Sequence, residues 1–248
     1  MSAPRSDVSG LVVAIDGPSA SGKSSTAREV ARILGFAHLD SGALYRGVTL
    51  VALREARKLD PAAVEPLGVI EASAVLRSAE DRGLMLMPDG TGFGAYLGGE
   101  PADEAIRGPE VTARVSAVSA VPEVREWVNS HLRELVRAGR NVVIDGRDIG
   151  TAVFPDAPVK VFLTATPEAR ARRRISQRGR VVDADRLAGE TALLAARDHA
   201  DSTRAVAPLR MAEDAVELDT TALTFREQVE RIVALVRERL GGRLPPAS

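Results

Sequence analysis

The chain has 248 residues, of which 45% are hydrophobic and 27% are charged, and its formal net charge is −1. This length fits one large α/β domain, or one domain with a small insert, and the near-neutral charge gives no reason to expect a nucleic-acid partner. The absence of cysteine excludes disulfides, thiolate metal sites and a thiol nucleophile. The start of the chain is polar, and no run of about 18 apolar residues occurs anywhere, so we expect a cytoplasmic protein without a membrane segment.

Short apolar segments rich in β-branched residues alternate along the chain with segments of helical periodicity. Strands are predicted at residues 11–16, 36–40, 141–145, 159–164 and 215–218. Helices are predicted at about residues 23–34, 41–57, 122–138, 167–177, 183–203 and 225–240, with Ser41 as the N-cap of the second helix. This alternation is typical of a three-layer α/β fold, in which helices cover both faces of a five-stranded parallel sheet.

Residues 60–120 interrupt this alternation. Two short segments, 84–87 and 94–97, flank the turn-rich sequence Pro-Asp-Gly-Thr-Gly, a pattern that favours an antiparallel hairpin. We interpret this stretch as an inserted subdomain in a core formed by residues 11–59 and 121–240. Residues 1–10 and 241–248 are expected to be flexible ends.

The segment from Gly17 to Ser24 matches the pattern G-x-x-x-x-G-K-S and lies between a predicted strand and a predicted helix, which is the context the pattern requires. In such a loop, backbone N–H groups and the helix dipole face the phosphates, Lys23 bridges the outer phosphates and the Ser24 hydroxyl binds Mg²⁺. A glycine-rich turn that merely opens a helix is the alternative, and the context disfavours it. The predicted ATP-binding residues are Gly17, Pro18, Ser19, Ala20, Ser21, Gly22, Lys23, Ser24 and Ser25.

Two other classes of P-loop protein are disfavoured by missing motifs. The sequence contains neither the Asn-Lys-x-Asp motif typical of GTPases nor the Ser-Gly-Gly-Gln signature of ABC ATPases. A kinase that acts on an anionic small molecule instead needs a second cationic site opposite the P-loop. Residues 39–46 and 145–150 supply candidates, because each segment leaves a predicted strand at the edge of the sheet where the P-loop lies. Loop salt bridges are the alternative for each segment taken singly.

Two further groups of charged residues lie on predicted helices. Arg170, Arg174 and Arg178 recur every four residues and form one stripe, which would bind polyphosphate or would only be a solvated basic face. Arg197, Asp201 and Arg204 have the spacing i, i+4, i+7 and share another helix face. Spacing alone leaves open whether this second group is a structural salt bridge or reads a nucleobase edge.

Taken together, these motifs resemble the bacterial-type cytidylate kinases of the P-loop nucleoside monophosphate kinase family. The resemblance extends from residue 12 to about residue 220. It is carried by residues 15–24, 39–46, 105–107, 145–151, 153–163 and 202–209. It implies a P-loop kinase fold in which residues 60–120 form an inserted subdomain that binds the nucleoside monophosphate (NMP) and residues 167–182 form a helical lid.

The resemblance also implies an activity, namely transfer of the γ-phosphoryl group of ATP to CMP or dCMP with Mg²⁺ held by Ser24. The expected binding partners are the substrates ATP and CMP or dCMP, and neither nucleic acid nor a membrane is expected as a partner. The protein is expected to be a monomer. The alternatives are another small-molecule kinase on this fold, specific for UMP, shikimate or gluconate, and a non-catalytic ATP-binding regulator. His38, His131 and His199 match no metal or catalytic-triad pattern, so we interpret them as structural or surface residues.

Individual roles follow from the same resemblance. The catalytic residues would be Lys23, Arg147, Arg170, Arg174 and Arg178, of which the last three are chosen from five lid arginines because they form one stripe, and not from the resemblance. The acceptor nucleotide would be bound by Ser41, Tyr45, Arg46, Arg107, Arg147, Asp148, Arg197, Asp201 and Arg204. Arg46 and Arg147 would hold the acceptor phosphate, and Asp201 would accept a hydrogen bond from the amino group that cytosine has and uracil lacks. The carboxylates that would support the metal through water are Asp16, Asp145 and Asp148.

Overall fold

A computed structural model describes residues 10–62 and 65–244, and a single mixed sheet forms its centre. Its strands are β1 (Val12–Asp16), β2 (Ala37–Asp40), β3 (Met85–Asp89), β4 (Gly92–Leu97), β5 (Glu100–Pro101), β6 (Val142–Gly146), β7 (Val159–Thr164) and β8 (Val216–Asp219). Five of them are parallel neighbours in the order β2-β6-β1-β7-β8, and each lies within one residue of its predicted bounds.

The α-helices in the described part of the chain are α1 (Lys23–Leu34), α2 (Ser41–Leu59), α3 (Ala72–Asp81), α4 (Asp103–Ile106), α5 (Pro109–Val118), α6 (Pro122–Arg137), α7 (Pro167–Gln177), α8 (Ala184–Thr203) and α9 (Phe225–Leu240). None of them combines the length and the hydropathy that crossing a membrane requires. Residues 1–9 and 245–248 of the predicted flexible ends lie outside the described residues, whereas Gly241–Arg243 form a 3-10 turn.

The predicted N-cap of α2 is wrong. Asp40 caps this helix, because its Oδ1 accepts a hydrogen bond from the Gly42 N–H at 2.9 Å. Ser41 is already helical, and its Oγ donates instead to the carbonyl of Asp145 at 2.7 Å. The Ser41 hydroxyl therefore joins α2 to the end of β6.

The three-layer fold is confirmed by the packing on the two faces of the sheet. On β1, Val12 and Ala14 face one core, which contains buried residues of α2 and α6. Val13 and Ile15 face the opposite core, which contains buried residues of α1 and α9. Because successive residues of a strand point to opposite faces, the continuous apolar run of β1 supplies both cores at once.

The sheet is wider than the five predicted strands, because residues 85–101 extend it. β3 and β4 form the predicted hairpin, but they are longer than expected and leave only Gly90 and Thr91 as the turn. β4 then pairs in parallel with β2 at His38 and Gly92, which makes eight strands in all among the described residues. A Cβ atom on Gly92 would lie 2.8 Å from the His38 carbonyl oxygen, so glycine permits this close approach.

Asp16, at the carboxyl end of β1, fixes the turn that follows β6. Its two carboxylate oxygens accept hydrogen bonds from the backbone N–H groups of Ile149 at 2.9 Å and Gly150 at 2.8 Å. Burial raises the pKa of Asp16 from 3.8 to about 6, although these two hydrogen bonds work in the opposite direction. The folded protein therefore binds a proton at Asp16 more tightly than the unfolded chain does.

This shift predicts a specific dependence of stability on pH. A raised pKa favours the folded state fully below pH 3.8 and loses that contribution as the pH rises through 6. We expect the free energy of unfolding of the wild type to fall by about 2 kcal/mol more than that of Asp16→Asn between pH 4 and pH 7. Urea unfolding from pH 4 to 7, without nucleotide or divalent cations, measures the difference. Parallel profiles for the two proteins would contradict it.

Candidate active site

The P-loop lies between β1 and α1 and has the backbone that phosphate binding needs. Gly17 and Gly22 have φ angles of 149° and 93°, which favour glycine, and a Cβ on Gly17 would lie 2.2 Å from the Leu163 carbonyl oxygen. Lys23 is buried, and its Nζ donates to the Pro18 carbonyl at 2.6 Å. Burial and the nearby charge of Arg147 hold the pKa of Lys23 well below its ordinary value.

Asp145 connects the first turn of α1 to the ends of β2 and β6. Ser24 Oγ donates to Asp145 Oδ2 at 2.5 Å, and His38 Nε2 lies 2.8 Å from Asp145 Oδ1. Burial alone would raise the pKa of Asp145, but the hydrogen bonds from His38 and Ser24 and the charge of Lys23 lower it below its usual value. Asp145 is therefore an anion beside Ser24. His38 is a buried structural residue, as interpreted, and its partner is this carboxylate.

A polar cleft opens at the carboxyl edge of the sheet, with Ser24 of the P-loop in its wall. It brings together every residue that the sequence assigns to the acceptor nucleotide. These residues are Ser41, Tyr45, Arg46, Arg107, Arg147, Asp148, Arg197, Asp201 and Arg204. The donor loop and the predicted acceptor residues thus meet in one cavity.

Two arginines of this cleft, Arg147 and Arg46, differ in their hydrogen-bond partners. Arg147 donates from Nε to Asp201 Oδ2 at 3.1 Å and from Nη2 to Ser19 Oγ at 3.4 Å. Arg46 donates only to neutral groups in the described part of the chain, Thr112 Oγ1 at 2.9 Å and the Ile106 carbonyl at 3.4 Å.

The same cleft perturbs the titration of two guanidiniums. Burial lowers the pKa of Arg46; Asp40 raises it, and Arg107, Arg147 and Arg174 lower it further. Burial and Arg147 also lower the pKa of Arg197 to about 10. A surplus of positive charge beside a P-loop favours an anionic ligand.

A second group of charged residues in the cleft surrounds Asp148. Arg204 Nη2 donates to Asp148 Oδ1 at 3.2 Å, and Arg125 Nη2 donates to Asp148 Oδ2. Arg125 also donates to the Ser119 carbonyl at 3.0 Å and lies over the ring of Tyr45, 5.4 Å from its centroid. These groups form a buried cluster of alternating charge.

The sequence analysis does not predict Arg125 as a site residue. The structure buries it almost completely, with 2% of its surface exposed. It lies on α6, whose buried positions include Val124, Val128 and Leu132. The sequence signal that could have identified Arg125 is an arginine within a stripe of buried apolar residues. A helix seldom buries a guanidinium unless a carboxylate or another acceptor pairs with it.

The three arginines of the predicted lid stripe all have carboxylate partners on α8. Arg170 Nη1 donates to Asp198, while Arg174 and Arg178 both pair with Glu190, at 3.0 and 2.8 Å. The arginines of the stripe are thus paired with carboxylates, and they do not form a free basic face. Sequence reasoning missed these partners because α8 meets α7 only in the folded chain.

Two more lid arginines have separate partners. Arg172 pairs with Glu168 on the exposed side of α7, and Arg173 donates to the side chain and carbonyl of Thr220. None of these five arginines lines the cleft of the described structure, so the choice of Arg170, Arg174 and Arg178 as catalytic residues stays a prediction.

Arg204 does not share a helix face with Arg197 and Asp201, as its spacing had suggested. α8 ends at Thr203, and Arg204 has the extended backbone angles φ −61° and ψ 143°. Its Nε donates to the Ala207 carbonyl at 2.7 Å, and its guanidinium still reaches the cleft. The three side chains therefore converge in space from two different backbone conformations.

Comparison with known proteins shows the family of this chain. The family model described as cytidylate kinase matches residues 13–238. The cytidylate kinase of Mycolicibacterium paratuberculosis is 47% identical over 231 residues, which cover 93% of this chain and 97% of that protein. The cytidylate kinase of Rhodococcus jostii is 46% identical over 231 residues, covering 93% of this chain and 96% of the relative. The chain belongs to the cytidylate kinase family.

Proposed function

We propose that this protein transfers the γ-phosphoryl group of ATP to CMP or dCMP, producing ADP and CDP or dCDP. The observation that carries the proposal is the single cleft that joins Ser24 of the P-loop to the whole set of predicted acceptor residues. Membership of the family supports the same activity. A kinase specific for shikimate or gluconate would not need the buried cluster of Asp148 with Arg125 and Arg204 in this cleft.

The phosphate groups would bind where the positive charge concentrates. Arg46 and Arg147 would hold the acceptor phosphate, because Arg147 also reaches Ser19 of the P-loop. Lys23 and the lid arginines Arg170, Arg174 and Arg178 would stabilise the charge on the phosphoryl group in transit. The acceptor oxygen is already anionic, so the reaction needs alignment and charge neutralisation rather than a strong general base.

Two carboxylates of the cleft could accept the amino group of cytosine. Asp201 pairs with Arg147, which contacts the P-loop, so Asp201 lies towards the phosphate end. Asp148 pairs instead with Arg125 and Arg204, and neither of these guanidiniums donates a hydrogen bond to the P-loop among the described residues. We therefore propose Asp148 as the base-reading carboxylate and Asp201 as a ligand of the sugar and phosphate side, and the roles predicted from sequence remain the alternative.

The residues beside the P-loop fit a magnesium ion. Ser24 offers a hydroxyl oxygen, and the ionised Asp145 that accepts its hydrogen bond could hold a metal-bound water. No cluster of three or more acidic, histidine or cysteine ligands occurs among the described residues, which suits Mg²⁺ because it keeps several waters and takes phosphate oxygens as ligands. When bound with ATP, the ion would neutralise charge on the phosphates.

Residues 60–120 would form the NMP-binding subdomain, and residues 167–182 the lid. Arg107 and Thr112 come from the first segment and reach the cleft or its arginines, while α7 carries the lid arginines. Closure of both segments would exclude water from the transfer. We propose a monomer, since one chain supplies the whole cleft, that acts on free nucleotides in the cytoplasm.

An acceptor panel tests the activity directly. With MgATP, we expect ADP release to depend on CMP or dCMP, and kcat/KM for CMP to exceed that for UMP, AMP or GMP by at least about 100-fold. The physical reason is that a carboxylate facing the uracil carbonyl leaves two acceptors opposed. A coupled ADP assay provides the measurement. ATP binding without acceptor-dependent ADP release would instead indicate a regulator.

A matched pair of substitutions tests which carboxylate reads the base. Asp148→Asn presents an amide in place of the carboxylate, so we expect the CMP/UMP preference to fall by about tenfold or more. Asp201→Asn makes the same chemical change nearer the P-loop and should raise KM for CMP while leaving the preference within about threefold. The reverse result would assign base reading to Asp201.

A further inference from the structure

Asp198 on α8 is hydrogen-bonded to Ser19 of the P-loop. Its Oδ1 accepts a hydrogen bond from the backbone N–H of Ser19 at 2.9 Å. Its Oδ2 accepts from Nη1 of Arg170, and the same Nη1 donates to the Ser19 carbonyl at 3.0 Å. Three residues from the P-loop, α7 and α8 thus form a closed ring of hydrogen bonds.

This ring leaves little freedom at Ser19. Its N–H and its carbonyl are bound within the ring, and its hydroxyl accepts from Arg147 at 3.4 Å. Arg170 is only 5% exposed, and its Nε donates to the Ala165 carbonyl at 3.1 Å. A guanidinium buried to this degree depends on a carboxylate partner, because removing the partner leaves an uncompensated charge.

The position of Asp198 on α8 connects this ring to the acceptor side. Its sequence neighbour Arg197 and, one turn later, Asp201 both line the cleft. The carboxylate therefore joins the loop that holds the donor phosphates to the helix that carries acceptor ligands. In an in-line transfer the reacting atoms must meet at about 3–3.5 Å, and an error of about 1 Å can cost roughly 100-fold in rate.

We propose that Asp198 is a positioning residue that sets the alignment of the donor phosphates with the acceptor nucleotide. It touches neither nucleotide, and it acts through Ser19 and Arg170. This inference rests on the proposed kinase activity. It adds to that activity a residue that the sequence analysis does not predict. Its effect should appear in the transfer step rather than in the binding of either substrate.

The conservative substitution Asp198→Asn separates these roles. Asparagine keeps an oxygen that can accept from the Ser19 N–H but loses the negative charge opposite Arg170. We expect kcat to fall by about 10- to 100-fold, with KM for ATP and for CMP each within about threefold of the wild type. Asp198→Ala, which removes both contacts, should lower kcat further.

Asp185→Asn is the matched control, because it makes the same change at an exposed position on the same helix. It should have wild-type kinetics. Thermal melting of every variant identifies loss of folded protein, and rates are referred to the folded fraction. The double variant Asp198→Asn with Arg170→Gln should be no slower than the slower of its two single variants, because both changes break one ring.

Several results would overturn the proposal. These are an Asp198→Asn variant with wild-type kcat, a change confined to KM, strictly additive effects of the Asp198 and Arg170 substitutions, and an Asp185→Asn control that is equally slow. A lower KM for ATP in Asp198→Asn would show that the carboxylate competes with the nucleotide, and it would also contradict a positioning role. Failure of the proposed function itself would be distinct, because the wild type would then not phosphorylate CMP.

Discussion

The concentration of guanidinium groups around one P-loop is the constraint on which the rest of this structure depends. A kinase that joins two anionic nucleotides needs cations on both sides of the transferred group, and those cations repel one another when the site is empty. The fold pairs most of these arginines with carboxylates. The pairs are Arg107 with Asp40, Arg147 with Asp201, Arg125 and Arg204 with Asp148, Arg170 with Asp198, and Arg174 and Arg178 with Glu190.

Helix α8 supplies three of these carboxylates, and this explains why its placement matters for both substrates. Glu190 faces the lid arginines, Asp198 faces the P-loop and Asp201 faces the acceptor side. Buried ion pairs seldom stabilise a fold more than apolar packing would, since desolvation offsets their attraction. Their value here is geometric, because each fixes a guanidinium that carries five directional donors.

Most local features followed from the sequence, with the N-cap of α2 as an exception, whereas several contacts between distant segments did not. The loop from Gly17 to Ser24 and the parallel strands follow from short-range patterns, so their bounds were predicted within one residue. The eight-stranded sheet was missed because the pairing of β4 with β2 depends on Gly92, which also suits an ordinary turn. Arg125 and Asp198 were missed because neither has a motif of its own. Each acquires its role from partners more than 20 residues away.

The net charge of −1 also has a physical meaning in this setting. Phosphate binding depends on the potential within a Debye length, about 8 Å at physiological ionic strength, and not on the total charge of the chain. The cleft is lined by six arginines and four aspartates, so its local charge is positive although the chain as a whole is nearly neutral. An approaching phosphate therefore meets more guanidiniums than carboxylates. A nearly neutral protein can in this way present a strongly cationic site to a nucleotide, without the general basicity that would also attract nucleic acid.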